Sequence, residues 1–391
     1  MPKHLLKIII NGARTFIVPA SLFLVALLIT KIYSKDLWGE LVVVLLLINL
    51  IALFSQWGNK EYLIRSYNTT PALISSLFYS NLFSRSFLLV PAFMVVFFIS
   101  NDAYKASLLC VWTLSQFVYL SSESIVIYSK SFLTQLLIEI TAIIVVITFI
   151  LVYQDITLIQ LIGFYTLATL LKALAAIYFI YPKFSKPNIH LGVFTKALPF
   201  FIVGLSGLLQ SRVDQYIIAI YEENVIIGSY QIFLSSFILL QAFSAIIIVP
   251  FTNILYRINI QLFNKIFKKL FLASIAFVLI VGCLISWFLL YVFQLDIPYF
   301  YFAVGILFAF PPFLYGPIIY QYYRIKKEKE VLIINYLGAF INLIFTFIVV
   351  YYNHPFAAIV GGAISQWTML VWYLKRKKYI WNEIEMSRMS S

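Results

Sequence analysis

Residues 131–181 read SFLTQLLIEITAIIVVITFILVY, then QDI, then TLIQLIGFYTLATLLKALAAIYFIY. Two predominantly apolar runs are separated by three residues, and each is long enough to cross the ~30 Å hydrocarbon layer of a bilayer as a helix. The rest of the chain has the same signature. Of its 391 residues, 63% are hydrophobic and only 11% are charged, and the mean hydropathy is +0.97. A soluble domain carries about 45–50% apolar and about 25% charged residues. These proportions exclude a water-soluble globule, and an aromatic content of 18% excludes a disordered chain. The two cysteines, Cys110 and Cys283, lie inside apolar runs, so neither a disulfide scaffold nor a redox pair is expected. The first run is too long for the apolar region of a signal peptide.

Extending the same reading gives an all-α integral membrane protein with about twelve spans, at 8–30, 37–57, 76–99, 104–121, 131–153, 157–181, 195–220, 225–250, 268–293, 298–320, 331–352 and 355–374. Of the 28 Lys and Arg residues, only Lys31, Lys35 and Lys105 fall in loops on one side, and only Arg14, Arg85, Lys172 and Arg212 fall within spans. All the others share the opposite side, which places both termini in the cytoplasm. The formal net charge of +13 thus reports topology and contact with anionic headgroups, not nucleic acid. The loops are short, leaving no soluble catalytic domain. G-x-x-x-x-G-K-[ST], H-E-x-x-H and paired-Cys spacings are all missing, so no enzyme, cofactor or metal site is expected.

An internal repeat is also visible. Ile32-Tyr33, Gly39 and Leu63-Ile64-Arg65 recur as Ile220-Tyr221, Gly228 and Leu255-Tyr256-Arg257, at offsets of 188, 189 and 192. With twelve spans and a basic connection at their midpoint, the expected organisation is a six-helix lobe at 1–182, a linker at 183–194, a second lobe at 195–374 and a basic tail at 375–391. Transporters often have two such pseudo-symmetric lobes around a central cavity.

Ala197-Leu198-Pro199, Ser211-Arg212-Val213-Asp214, Gly228-Ser229-Tyr230 and Pro250 resemble spans 7 and 8 of the polysaccharide flippases (Wzx-type) of the multidrug/oligosaccharidyl-lipid/polysaccharide exporter superfamily. Asn342-Leu343-Ile344, Pro355 and Gly361-Gly362-Ala363-Ile364-Ser365 are similar to its spans 11 and 12, and the Tyr33–Gly39 region to its spans 1 and 2. Glu40 departs from the family, which usually has an apolar or aromatic residue there. The resemblance implies transport of an undecaprenyl-diphosphate-linked oligosaccharide, an O-antigen or similar repeat unit, from the inner to the outer leaflet of a bacterial plasma membrane. Besides membrane lipids, it implies a polysaccharide polymerase and a chain-length regulator as partners. A carrier is needed because moving one hydroxyl into hydrocarbon costs roughly 4–8 kcal/mol, and a diphosphate costs far more.

Ionisable residues inside spans are costly, so they face a cavity or pair with one another. Asn81, Ser84 and Arg85 share one face of span 3, and Asn11 and Arg14 share one face of span 1. Ser131, Gln135 and Glu139 align in span 5; Ser206, Gln210 and Asp214 align in span 7, with Arg212 turned away. Arg14 and Arg85 are expected to grip the diphosphate, since guanidinium keeps its charge and binds phosphate oxygens in pairs. Asn81, Ser84, Gln210 and Arg212 would complete the lining. For the arginines, the alternatives are holding helices together or reaching to headgroups. Glu139 and Asp214, the two deep acids, are candidates for ion coupling or for buried partners of one of the arginines. Lys172 is expected to snorkel. Within the superfamily the rival is an ion-coupled exporter of cationic drugs, whose lumen should be acidic. A membrane polysaccharide polymerase is the rival from another class, and the short outer loops count against it.

Overall fold

The computed structural model describes residues 3–100, 102–189, 191–248, 255, 258–325, 327–352 and 354–389; Pro250, Tyr256 and Arg257 of the repeat and family patterns lie outside the described residues. The chain divides into two compact units, Met1–Leu205 and Ser206–Ser391. Among the described residues the secondary structure is helical throughout.

In the first unit the helices are α1 (Lys3–Ile32), α2 (Lys35–Gln56), α3 (Asn59–Thr69), α4 (Ile74–Ser86), α5 (Leu89–Ile99), α6 (Ala103–Ser121), α7 (Glu123–Ser129), α8 (Phe132–Val152), α9 (Leu158–Phe179) and the first half of α10 (Gly192–Tyr221). Helix α6 is the exception to the hydropathy reading: eleven other segments are long and apolar enough to span, whereas α6 carries Ser107, Thr113, Ser115, Gln116 and Ser121. It tolerates them by being interior. Ala106, Leu109, Trp112, Thr113, Ser115, Phe117, Tyr119 and Ser121 are all buried, so Thr113, Ser115 and Ser121 meet protein, while the exposed Ser107 satisfies its hydroxyl on the Tyr104 carbonyl at 2.7 Å.

The third expected span is two helices. Pro91 has no N–H for the carbonyl of Phe87, which accepts from Val90 at 3.3 Å instead, and the helix restarts as α5. The second span also ends sharply. Trp57 and Gly58 both take left-handed conformations (φ 43° and 67°), turning the chain from α2 into α3. A Cβ on Gly58 would lie 2.6 Å from the Phe201 nitrogen and 2.8 Å from the Ala197 carbonyl oxygen, so only glycine fits. The Trp57 indole donates to the Phe194 carbonyl at 3.0 Å and stacks on Phe201 at 4.2 Å. These contacts tie the first half of α10 to the first unit, and the expected 183–194 linker lies inside that unit.

The second unit comprises the rest of α10, α11 (Asn224–Ile248), α12 (Ile260–Tyr291), α13 (Tyr299–Ala309), α14 (Pro312–Arg324), α15 (Glu328–Tyr351) and α16 (Ala358–Met389). Span 10 is broken between α13 and α14 by Pro311 and Pro312, which cannot donate to Leu307 and Phe308. Both carbonyls find side chains: Trp367 Nε1 donates to Leu307 at 3.1 Å and Gln241 Nε2 donates to Phe308 at 2.9 Å. By contrast, α1 and α10 run on through Pro19 and Pro199. Helix α16 continues through the segment expected to be a tail.

The repeat has a structural counterpart in each unit taken alone. Tyr33, at the end of α1, donates to the Ile150 and Tyr153 carbonyls at the end of α8. Tyr221, at the end of α10, meets Phe347 of α15 with ring centroids 6.2 Å apart. The first and fifth spans of each half are therefore neighbours at matching ends.

Candidate functional site

Six charged side chains of the first unit, Arg14, Lys60, Glu61, Glu123, Glu139 and Lys172, form one connected set. Arg14 on α1 donates through NH1 to Gln135 Oε1 on α8 at 2.6 Å and through Nε to Asn11 at 3.2 Å. The same NH1 lies 3.8 Å from Glu123 at the start of α7. Glu123 in turn lies 3.7 Å from Lys60 on α3, which is 3.4 Å from Glu61. From Gln135 the set continues one turn along α8 to Glu139. That carboxylate accepts from the Tyr119 hydroxyl at 2.6 Å and from Lys172 Nζ on α9 at 2.9 Å. Lys172 also sits over the Tyr119 ring at 4.5 Å.

The two ends of this set differ in physical character. The Lys172–Glu139 pair is close and hydrogen-bonded, with side chains only 14% and 9% exposed. Around Glu123 the ion pairs exceed hydrogen-bond distance, and the Lys60 and Glu123 side chains are 39% and 27% exposed. Lys60 and Glu123 border a cavity of about 190 Å3 walled by Gln56, Phe200 and Phe201. Two cations share one partly wet carboxylate there, an arrangement that can exchange partners.

Arg85 is placed differently from the expectation. It is fully buried, as is Ser84. Its Nε donates to Asn81 Oδ1 at 2.7 Å, NH1 to the Ser55 carbonyl at 3.1 Å and to Gln56 Oε1 at 3.1 Å, and NH2 to Ser121 Oγ at 3.0 Å. The guanidinium lies over Phe117 at 5.0 Å. The expected polar face of α4 therefore exists, but it is turned into the unit, where Arg85 joins α4 to the ends of α2 and α6. Carbonyls at a helix C-terminus lack intrahelical donors, and the Ser55 carbonyl is one that the guanidinium serves. Arg85, Asn81 and Ser84 thus face the interior of the first unit in this structure. Lys172, expected to snorkel, instead ends on Glu139 at 2.9 Å, so the cation beside Glu139 is a lysine and not one of the arginines.

In the second unit, Asp214 is buried and accepts from the Tyr230 hydroxyl at 2.6 Å and from the Gln215 backbone N–H at 2.9 Å. The Asp of S-R-x-D and the Tyr of G-x-Y are thus one contact between α10 and α11. Arg212 donates to Gln215 Oε1 at 3.0 Å. Gln210 belongs to another cluster: its carbonyl accepts from Asn342 at 3.4 Å, and its side chain bonds the Tyr315 hydroxyl, which also donates to Gln366 at 2.8 Å.

Sequence reasoning missed Lys60, Glu61, Glu123 and Tyr119. The first three were legible only as loop charge and Tyr119 only as a span-end aromatic. The one available signal was that Glu123 is the sole acid in the loop 122–130, where it offsets Lys130.

The chain is similar to lipid II flippase MurJ in an inward closed conformation, at 15% identity and a TM-score of 0.73, over 95% of this chain and 87% of that one. It is similar to the MATE multidrug transporter DinF-BH, at 14% identity and a TM-score of 0.63, over 97% of each. An outward-facing multidrug resistance MATE family transporter of the MOP superfamily matches at 13% identity and a TM-score of 0.57, over 96% of each. At these identities the likeness establishes the fold. No protein-family model matches the sequence, and no curated protein matches it.

Proposed function

We propose that the chain is a flippase that moves an undecaprenyl-diphosphate-linked oligosaccharide from the inner to the outer leaflet by alternating access, in a bacterial plasma membrane with both termini cytoplasmic. The observation that carries the reading is the pair of cations, Arg14 and Lys60, held at 3.8 and 3.7 Å by the single carboxylate of Glu123. A diphosphate entering from the cytoplasmic side offers oxygens that Arg14 can bind in pairs and Lys60 as a point charge. Glu123 then turns to water. The shared fold with a lipid II flippase supports a lipid-linked substrate. The multidrug alternative needs a carboxylate free to receive a cation. Glu139 is already bound by Lys172 and Tyr119, and Asp214 by Tyr230 and the Gln215 N–H, which favours the anionic substrate.

A double variant, Arg14→Gln with Lys60→Gln, tests the assignment. Hydrogen bonds to charged groups contribute about 1.5–3 kcal/mol each, so export should fall at least about tenfold per cation. Lys60, 39% exposed, should leave membrane levels and the thermal midpoint near wild type when changed alone, whereas Arg14, 14% exposed and bonded to Gln135 at 2.6 Å, also supports the fold, so export is compared at matched protein levels. Glu123→Gln should retain export. Wild-type export by the double variant would remove both cations from the site.

A further inference from the structure

The second unit carries a groove of about 820 Å3 along α13 and α16. Val360, Ile364, Trp367, Val371 and Lys375 line it from α16 at spacings of three or four residues, so they form a single stripe; Val304 and Leu307 face them from α13. At 1.5 Å per residue the stripe is about 22 Å long, more than the acyl layer of one leaflet, which is about half of ~30 Å. The groove is apolar along its length and cationic at one end only. There Arg376 bonds Glu330 at 2.7 Å and lies over Trp372 at 5.7 Å, while Lys327 lies 3.5 Å from the same Glu330. One carboxylate thus serves two cations. Lys375 is exposed and, among the described residues, has no ion-pair or hydrogen-bond partner.

We infer that this groove is a binding site for one anionic glycerophospholipid, with an acyl chain along the Val360–Val371 stripe and the phosphate between Lys375 and Arg376. A surplus of positive charge at the end of an apolar channel matches a molecule with a long apolar body and a single anionic head. A zwitterionic lipid would bring a cation to the same place and lose that advantage. Trp372 borders the groove at its charged end, where indoles favour the headgroup level. The site stands independently of what the chain transports.

The test is native mass spectrometry of the protein released from phosphatidylcholine nanodiscs containing a minor fraction of phosphatidylglycerol. The wild type should retain one phosphatidylglycerol in preference to phosphatidylcholine. Lys375→Gln should retain about fivefold less, the contribution of one cation near an anionic headgroup. Val371→Trp, which fills the groove from an exposed position, should also lose it, with an unchanged thermal midpoint in both variants. Equal retention by Lys375→Gln, or no preference over phosphatidylcholine, would overturn the site. So would a two-chain mass in the wild type that Val371→Trp abolishes, since the groove would then hold a second copy.

Discussion

Arg85→Ala is expected to destabilise the first unit by about 3–5 kcal/mol, the range for breaking a buried charged contact, and to deplete the protein from the membrane. Removing the guanidinium strands the Ser55 carbonyl, Asn81 Oδ1 and Gln56 Oε1 in the interior, and each unmade buried hydrogen bond costs about 1–3 kcal/mol. Total domain stabilities are only about 5–15 kcal/mol, so the loss should be visible as a lower thermal midpoint in detergent. Arg85→Lys should rescue only part of it, because one ammonium cannot reach acceptors on α2, α4 and α6 together. A normal midpoint with export abolished would instead return Arg85 to the binding surface.

Lys172→Met should have a comparable effect for a different reason. It leaves the Glu139 carboxylate buried with the Tyr119 hydroxyl still donating to it but no cation beside it, and breaking a buried pair from one side costs about 3–5 kcal/mol. Glu139→Gln alone should also destabilise. The double variant should cost much less than the two single costs together, because neither charge is then left alone. A double-mutant cycle on the thermal midpoint measures this coupling. Additive costs would mean that the two groups do not form a pair. Glu139→Gln with full stability but no transport would make Glu139 an ion-coupling group, not a structural partner.

The fold was largely legible because lipid imposes one rule on every segment: an exposed backbone must be helical, and its side chains apolar. The rule weakens where a helix is enclosed by protein, and α6 is that case. The helix breaks fall at Pro91 and Pro311-Pro312, but proline alone does not separate these from Pro19 and Pro199, where the helices continue, and the break at Pro91 was not anticipated. For the site, periodicity correctly grouped Asn81 with Arg85, and Gln135 with Glu139. It could not say which helix each face meets. Arg85 was read as deep and therefore functional, and only the structure shows that its guanidinium meets the Ser55 carbonyl at the end of α2. Conversely, Lys60 and Glu123 looked like ordinary loop charges, and only the turn at Trp57-Gly58 brings α3 and its charges to Arg14.

The most direct test of the flippase account is deletion of the gene in its host, followed by analysis of surface polysaccharide and of lipid-linked intermediates on each leaflet. The account predicts that surface repeat units are lost while complete lipid-linked units accumulate on the inner leaflet. Single repeat units still reaching the surface would contradict it in favour of a polymerase. Unchanged polysaccharide with new sensitivity to cationic drugs would contradict it in favour of a multidrug exporter.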